Sequence, residues 1–313
     1  MPFYAASDHP LIVGCWQLDD RSWKAHSETD IARAIDTYIA TGVRAFDTAD
    51  IYGRSELLLG QLLPPEAQVS TRASFFEAVP TPRQVRHKID LSRRHLHRER
   101  LDAVQLYWPD AQLDIASTLE VFAALVEEGV IAQFGVTNFN LERLKQAVAL
   151  APVTFHQVQY SLVDRRVERG VQQFCQDQGI ALLAYGPLAG GFLSAPFRGL
   201  AQAKPESDHA RSFYYANMVE THGGWDAMQS MIEILAALAQ RHNKTIAQVA
   251  LNWVAHQPGV TGVVSGLTLN RGRILQNAAA FDWEMEMGAL AALSEASAQI
   301  FTQPGGIYSY EGH

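Results

Sequence analysis

Residues 154–185 read TFHQVQYSLVDRRVERGVQQFCQDQGIALLAY, and they hold one complete folding unit. Residues 154–159 and 180–185 are runs of strand length. Residues 167–178 between them carry a helical pattern that Gly179 stops. A strand, a helix and a second strand in this order lie with the strands parallel, because the crossover helix returns the chain to the same end of the sheet.

The same alternation extends in both directions. Strand-like runs begin near residues 11, 43, 68, 102, 131, 154, 180 and 260. Helical patterns separate them. Ser27 or Thr29 caps the first, Pro64 and Pro65 stop the second at 55–63, and Thr81 caps the third with Pro82 at its first position, where the missing N–H costs little. Further helices are expected at 115–128, 140–149, 227–241, 245–256, 269–280 and 283–297. Eight strand–helix units predict an α/β fold, a closed (β/α)8 TIM barrel spanning 1–313 as a single domain. Roughly 40 residues at 186–226 show no period and read as a functional loop, and 298–313 read as a tail. An open doubly wound sheet is the rival. Its usual signatures are missing: no GxGxxG follows an early strand, and no GxxxxGK[ST] occurs.

Composition narrows the function. Hydrophobic residues make up 48% of the 313, which argues against disorder, and the formal charge of -8 disfavours a protein that wraps nucleic acid. Two cysteines, Cys15 and Cys175, cannot build a disulfide framework and read as small buried apolar residues. The N-terminus shows no basic start followed by an apolar run. The uncharged run at 179–197 is broken by glycines and prolines, so it reads as a strand entering a loop rather than a membrane span. A cytoplasmic protein without a membrane or nucleic-acid partner is the expectation.

In such barrels the chemistry sits at the C-terminal ends of the strands. This selects Trp16, Gln17, Asp47, Tyr52, Arg72, Tyr107, Trp108, Thr137, Asn138, Gln157, Gln159, Tyr185 and Ser265. The set contains no thiol nucleophile and no cluster with metal-ligand spacing. Asp47 and Arg72 end neighbouring strands, and a buried carboxylate needs such a partner. Tyr52, folded back over the mouth, would meet that pair. A guanidinium favours the ionised phenol, which suits a tyrosine that gives a proton to a carbonyl oxygen while hydride arrives at carbon. A structural ion pair beside an ordinary loop tyrosine fits the same spacing.

The stretch VRAFDTADIYG at 43–53 closely resembles the strand and loop that carry the catalytic Asp and Tyr of the aldo-keto reductase family. The resemblance runs from about residue 11 to 277. It takes in QVSTR at 68–72, LDAVQLYWPD at 101–110, FGVTNF at 134–139, HQVQY at 156–160, AYGPLAGGFL at 184–193 and GRILQN at 272–277. It implies a barrel oxidoreductase that interconverts an aldehyde or ketone and its alcohol, with NADPH as cofactor and NADH as the other candidate. Tyr52 would be the general acid in reduction, and Asp47 would hold the cation that tunes it. The chain departs from the family at two places: Arg72 stands where lysine is usual, and Tyr107 where histidine is most common. Arginine keeps the charge but does not lose its proton, and tyrosine donates a hydrogen bond but supplies no imidazolium.

The resemblance also assigns the cofactor contacts. Thr137, Asn138 and Gln157 would hold the nicotinamide carboxamide, Tyr185 would stack on the ring, and Leu188 and Gly190 would let backbone approach the pyrophosphate. Ser265, Thr268, Arg273, Gln276 and Asn277 match the segment for the adenosine phosphate and adenine. Leu267 falls where many members have a second cation. Substrate contacts would come from Trp16, Gln17, Trp23, Trp108, Tyr214 and Trp225. The resemblance implies a small carbonyl or alcohol as substrate, and a monomer is the family-like state. The alternatives are a nucleotide-binding barrel of little activity with a regulatory role, and a hydrolase or isomerase, which would need a second strand-end acid or a metal. The seven basic residues at 83–100 read as a solvated outer helix, since no aromatic alternates with them.

Overall fold

The computed structural model describes residues 3, 9–76, 78–107, 114–202 and 214–306. Its strands are β1 (Leu11–Gly14), β2 (Ala45–Asp47), β3 (Gln68–Ser74), β4 (Ala103–Tyr107), β5 (Phe134–Thr137), β6 (Val153–Gln159), β7 (Ala181–Tyr185) and β8 (Val260–Gly266). They pair in chain order, all parallel, and β8 closes on β1 through the register Leu11 with Val263. The expected closed barrel is therefore the fold, and the open sheet is excluded. Closure also leaves no strand edge unpaired.

Helices cover the ring. They are α1 (Glu28–Ala40), α2 (Ser55–Leu62), α3 (Pro82–His95), α4 (Ala116–Glu127), α5 (Leu141–Leu150), α6 (Val171–Gln178), α7 (Ala216–His222), α8 (Gly224–His242), α9 (Ile246–Ala255), α10 (Arg271–Ala278) and α11 (Met287–Ile300). The caps come from the residues suited to it. Ser27 accepts from the Asp30 N–H. Thr81 and Gln84 form a reciprocal capping box with Pro82 at the first turn, and Thr245 and Gln248 form another.

Several boundaries differ from expectation. The helix expected at 167–178 splits into a short 3-10 turn (Arg166–Glu168) and α6, because Gly170 at φ 92° breaks the run. The strand expected at 131–136 is β5, with residue 131 contributing only an isolated bridge to Leu101. The closing helix runs 287–300, so the tail starts later than 298. The aperiodic stretch holds two 3-10 turns (Ala189–Gly191 and Ala195–Phe197) and α7.

Alternate strand residues point into a barrel, and here they form two layers. The lower layer is apolar: Ile12, Ala45, Ala103, Phe155, Leu183 and Val264 pack as one cluster with Phe3. A side chain at Gly135 would meet the Phe155 ring at 2.5 Å, so only glycine fits opposite that ring. Two residues further along their strands, Asp47, Gln105, Thr137 and Gln157 make a polar layer above it, buried in every case. The main core lies outside the ring, between strands and helices. No helix among the described residues is long and apolar enough to cross a membrane.

Candidate active site

Above the polar layer opens a cleft of about 990 Å³ lined by residues from the C-terminal ends of the strands and the loops that follow them. Its floor is organised around one carboxylate. Asp47, at the end of β2, is fully buried. Its Oδ2 accepts from Arg72 Nη2 on β3. Its Oδ1 accepts from Gln105 Nε2 on β4 at 2.7 Å and from Gln157 Nε2 on β6 at 3.0 Å. Burial pulls against the Arg72 charge. The charge of Asp47, then the Tyr52 oxygen, then the Asp47 hydrogen bond and Tyr107 together outweigh it and hold the guanidinium above its ordinary range.

Tyr52 lies over this pair, with Arg72 Cζ 5.2 Å from its ring centroid, within cation–π range. Trp16 stacks on the same tyrosine at 6.2 Å and 25°. The loop that carries Tyr52 is anchored on both sides. Asp50 accepts from the Ser74 N–H and from Lys88. Arg21, itself held by Asp19, donates to the Ile51 carbonyl. The aspartate, the cation and the phenol are thus brought together as the sequence predicts, and Tyr107 lines the same cleft.

On the β5–β7 side a directional chain closes the wall. Tyr214 donates to Gln159 Oε1 at 2.9 Å, which leaves its oxygen to accept from the Tyr185 hydroxyl at 3.0 Å, and Tyr185 in turn accepts from Asn138 Nδ2 at 3.0 Å. Asn138 has φ 57°. The next residue is fixed from outside the barrel, where His156 Nε2 accepts from the Phe139 N–H at 3.0 Å. Burial drives the His156 imidazole down to about 3, so it stays a neutral acceptor. Burial, then the Asp47 charge, raises the Cys15 thiol well above its ordinary range, which makes it inert.

Sequence profiles match the aldo/keto reductase family over residues 10–297. The chain belongs to that family. This aldo/keto reductase is 27% identical over 276 residues to a probable aldo-keto reductase of Glycine max, covering 81% of this chain and 77% of that one. It is 28% identical over 293 residues to an uncharacterized oxidoreductase of Mycobacterium bovis, covering 91% and 88%. Among solved structures, the glycerol dehydrogenase of Gluconobacter oxydans superposes with TM-score 0.80 at 23% identity over 95% and 93% of the chains. An aldo/keto reductase of Klebsiella pneumoniae in complex with NADP and acetate superposes with TM-score 0.69 at 22% identity over 91% and 90%. The chain is accordingly an oxidoreductase.

The remaining predicted residues of this aldo/keto reductase fall in several places. Asn138, Gln157, Tyr185, Leu188, Gly190, Ser265, Thr268, Arg273, Gln276 and Asn277 all line the cleft, as do Trp16, Gln17, Trp23 and Tyr214. Thr137 lies beneath the floor, its hydroxyl donating to Gln105 at 2.6 Å. Trp225 is not among the cleft-lining residues. It sits in the first turn of α8, edge-on to Phe192 and Phe197, and its indole N–H donates to the Leu200 carbonyl at 2.7 Å, so it supports the loop from behind. Trp108 lies outside the described residues. Sequence reasoning missed Gln105, Lys88, Arg21 and His156. Only Gln105 carried a readable signal, its period-two spacing between Ala103 and Tyr107 on β4.

Proposed function

We propose that the protein catalyses NADPH-dependent reduction of an aldehyde or ketone, and oxidation of the corresponding alcohol, with Tyr52 as the proton donor. The observation that carries this reading is the Tyr52 ring resting against the buried Arg72–Asp47 pair at the cleft floor. Tyr52 gives its hydroxyl proton to the carbonyl oxygen. The phenolate left behind faces a guanidinium that keeps its charge across the working pH range. Asp47 holds that guanidinium and gives up no proton. Tyr107 donates a hydrogen bond to the substrate oxygen, and Trp16, Trp23 and Tyr214 with Gln17 form the wall that orients the rest of the substrate.

The residues fit a nicotinamide nucleotide. Gln157 turns its amide nitrogen to Asp47, and its buried Oε1 has no hydrogen-bond partner among the described residues. A carboxamide N–H is the complement of that oxygen. Asn138 lies beside it on the neighbouring strand end, and Tyr185 offers a ring face. Thr137, with its proton committed to Gln105, contributes from below. Leu188 and Gly190 line the cleft, as do Ser265, Thr268, Gln276 and Asn277, and the exposed Arg273 in the same lining is a cation suited to a 2'-phosphate. Leu267 supplies no second cation there, which keeps NADH as the other candidate. When bound, the nucleotide supplies the hydride to the carbonyl carbon.

The test is oxidation of NADPH with a panel of carbonyl compounds, alongside nucleotide binding by fluorescence quenching. Replacing Tyr52 with Phe lowers kcat by about 10²–10⁴-fold, the usual contribution of a positioned acid, and leaves nucleotide affinity unchanged. Equal turnover in the two proteins overturns the assignment of the acid. Arg72 and Tyr107 favour a second reading, a nucleotide-binding barrel with little turnover. Tight nucleotide binding without reduction of any carbonyl would select it.

A further inference from the structure

We propose that Gln105 is a positioning residue for this chemistry, holding the Asp47 carboxylate so that Arg72 stays aimed at Tyr52. The proposal rests on the reductase reading above. Gln105 is fully buried on β4, two residues before Tyr107 on the same inward face. Its Nε2 donates to Asp47 Oδ1 at 2.7 Å and to Ser70 Oγ at 2.8 Å. Its Oε1 accepts from Thr137 Oγ1 at 2.6 Å. The carboxylate only accepts, so the amide nitrogen must face it, and the hydroxyl of Thr137 takes the other end.

The two oxygens of Asp47 do different work. Arg72 takes Oδ2, while Gln105 and Gln157 both take Oδ1. Two donors from separate strands on one oxygen stop the carboxylate from turning about its own axis, and Oδ2 is left facing β3. Arg72 Nε is buried with no hydrogen-bond partner among the described residues, so the orientation of the guanidinium leans on its bond to Asp47. Freeing Oδ1 from one donor loosens the carboxylate, then the guanidinium, then the charge beneath the Tyr52 ring. Gln105 touches none of the reacting atoms. It acts through Asp47, and through Thr137 it ties that carboxylate to the strand end beside Asn138.

The experiment compares steady-state carbonyl reduction in wild type, Gln105→Met and Gln105→Glu, each also in the Tyr52→Phe background, with folding checked by thermal melting. Methionine keeps the volume and removes both hydrogen-bonding ends. It lowers kcat about 10–100-fold, as loss of a bond to a charged group does. The carbonyl KM and the nucleotide Kd stay within about threefold by the same argument, since Gln105 acts through the acid and not through binding. In the Tyr52→Phe background the methionine has no further effect. Glutamate, when ionised, repels Asp47. Its activity relative to wild type rises as the pH falls, because a protonated carboxyl donates to Oδ1 again.

The same fold-loss with and without the Tyr52 hydroxyl, or a glutamate-to-wild-type ratio that ignores pH, overturns the proposal. If the methionine variant does not fold, the pH dependence of the glutamate variant decides alone. A wild type that turns over nothing overturns the reductase reading and this proposal with it. An active wild type with insensitive Gln105 variants overturns the proposal alone.

Discussion

Arg72 carries its guanidinium carbon 5.2 Å from the centre of the Tyr52 ring. The same guanidinium is held by a carboxylate whose other oxygen is occupied twice over. The result is a planar, permanent cation fixed under a phenol. An ammonium in this place would be a smaller and more mobile charge that can exchange a proton. In the reaction proposed above, Tyr52 would therefore be tuned by a static charge and not by a relay.

Restoring the family's usual pair tests what that difference is worth. The double variant Arg72→Lys with Tyr107→His is expected to reduce simple aldehydes faster than wild type. It regains an amine that can exchange protons and an imidazole that can carry charge near neutral pH. Steady-state kinetics with short aldehydes checks this. Unchanged or lower kcat would show that these two positions do not limit generic carbonyl chemistry.

Breaking the ion pair leaves a buried charge uncompensated, which a stability measurement reads. Removing the cation with Arg72→Met leaves Asp47 buried with only its two amide donors. Breaking such a pair costs about 3–5 kcal/mol, and the surviving donors place the expected loss near the lower end. Urea unfolding at pH 7 measures it, and a loss below about 1 kcal/mol would mean that water or a rearranged partner replaces the guanidinium.

Arg273, which lines the cleft, stands exposed in the first turn of α10. Arg273→Ala is expected to raise the Kd for NADPH about 10–100-fold, the worth of a charge-assisted contact, and to leave NADH binding nearly unchanged. Paired fluorescence titrations read the ratio. A parallel change for both nucleotides would show that Arg273 does not meet the 2'-phosphate.

His156 makes an acid-side prediction. Its imidazole ordinarily titrates near 6.5 and in the fold is driven down to about 3 by burial. Between these values the unfolded chain binds a proton that the folded chain refuses. The stability contribution is therefore intact above about pH 6.5 and is lost as the pH falls toward 3. A variant without the imidazole, His156→Phe, leaves the Phe139 N–H without its acceptor and is less stable at pH 7 by about 1–3 kcal/mol. It also escapes the protonation penalty, so its deficit shrinks by about 2 kcal/mol between pH 7 and pH 5. Urea midpoints at both values decide this, and a constant gap would place the titration elsewhere.

The barrel was legible because its signals are local. Each strand is a short apolar run, each helix has a cap or a stop, and eight such units in one chain leave few ways to fold. Asp47, Tyr52 and Arg72 were legible for the same reason, as strand ends and the loop beyond. Gln105 was harder because β4 runs two residues past it and ends on Tyr107, which drew the assignment for that strand, although its alternation with Ala103 and Tyr107 was present. The clamps on the Tyr52 loop were not readable at all. Lys88 and Arg21 lie on other segments, and nothing in their own surroundings distinguishes them from solvated surface cations. Trp225 misled because an aromatic in an aperiodic stretch looks available for a ligand. Its indole is taken up by Phe192, Phe197 and the Leu200 carbonyl.

The Asp47 carboxylate collects its donors from β3, β4 and β6, strands drawn from both halves of the ring. No fragment made of β1 to β4 alone, or of β5 to β8 alone, contains this arrangement. Circular permutation that preserves the ring keeps it, and splitting the chain between the halves dissolves it until the pieces reassociate. Activity in a reconstituted split protein would thus count completed rings.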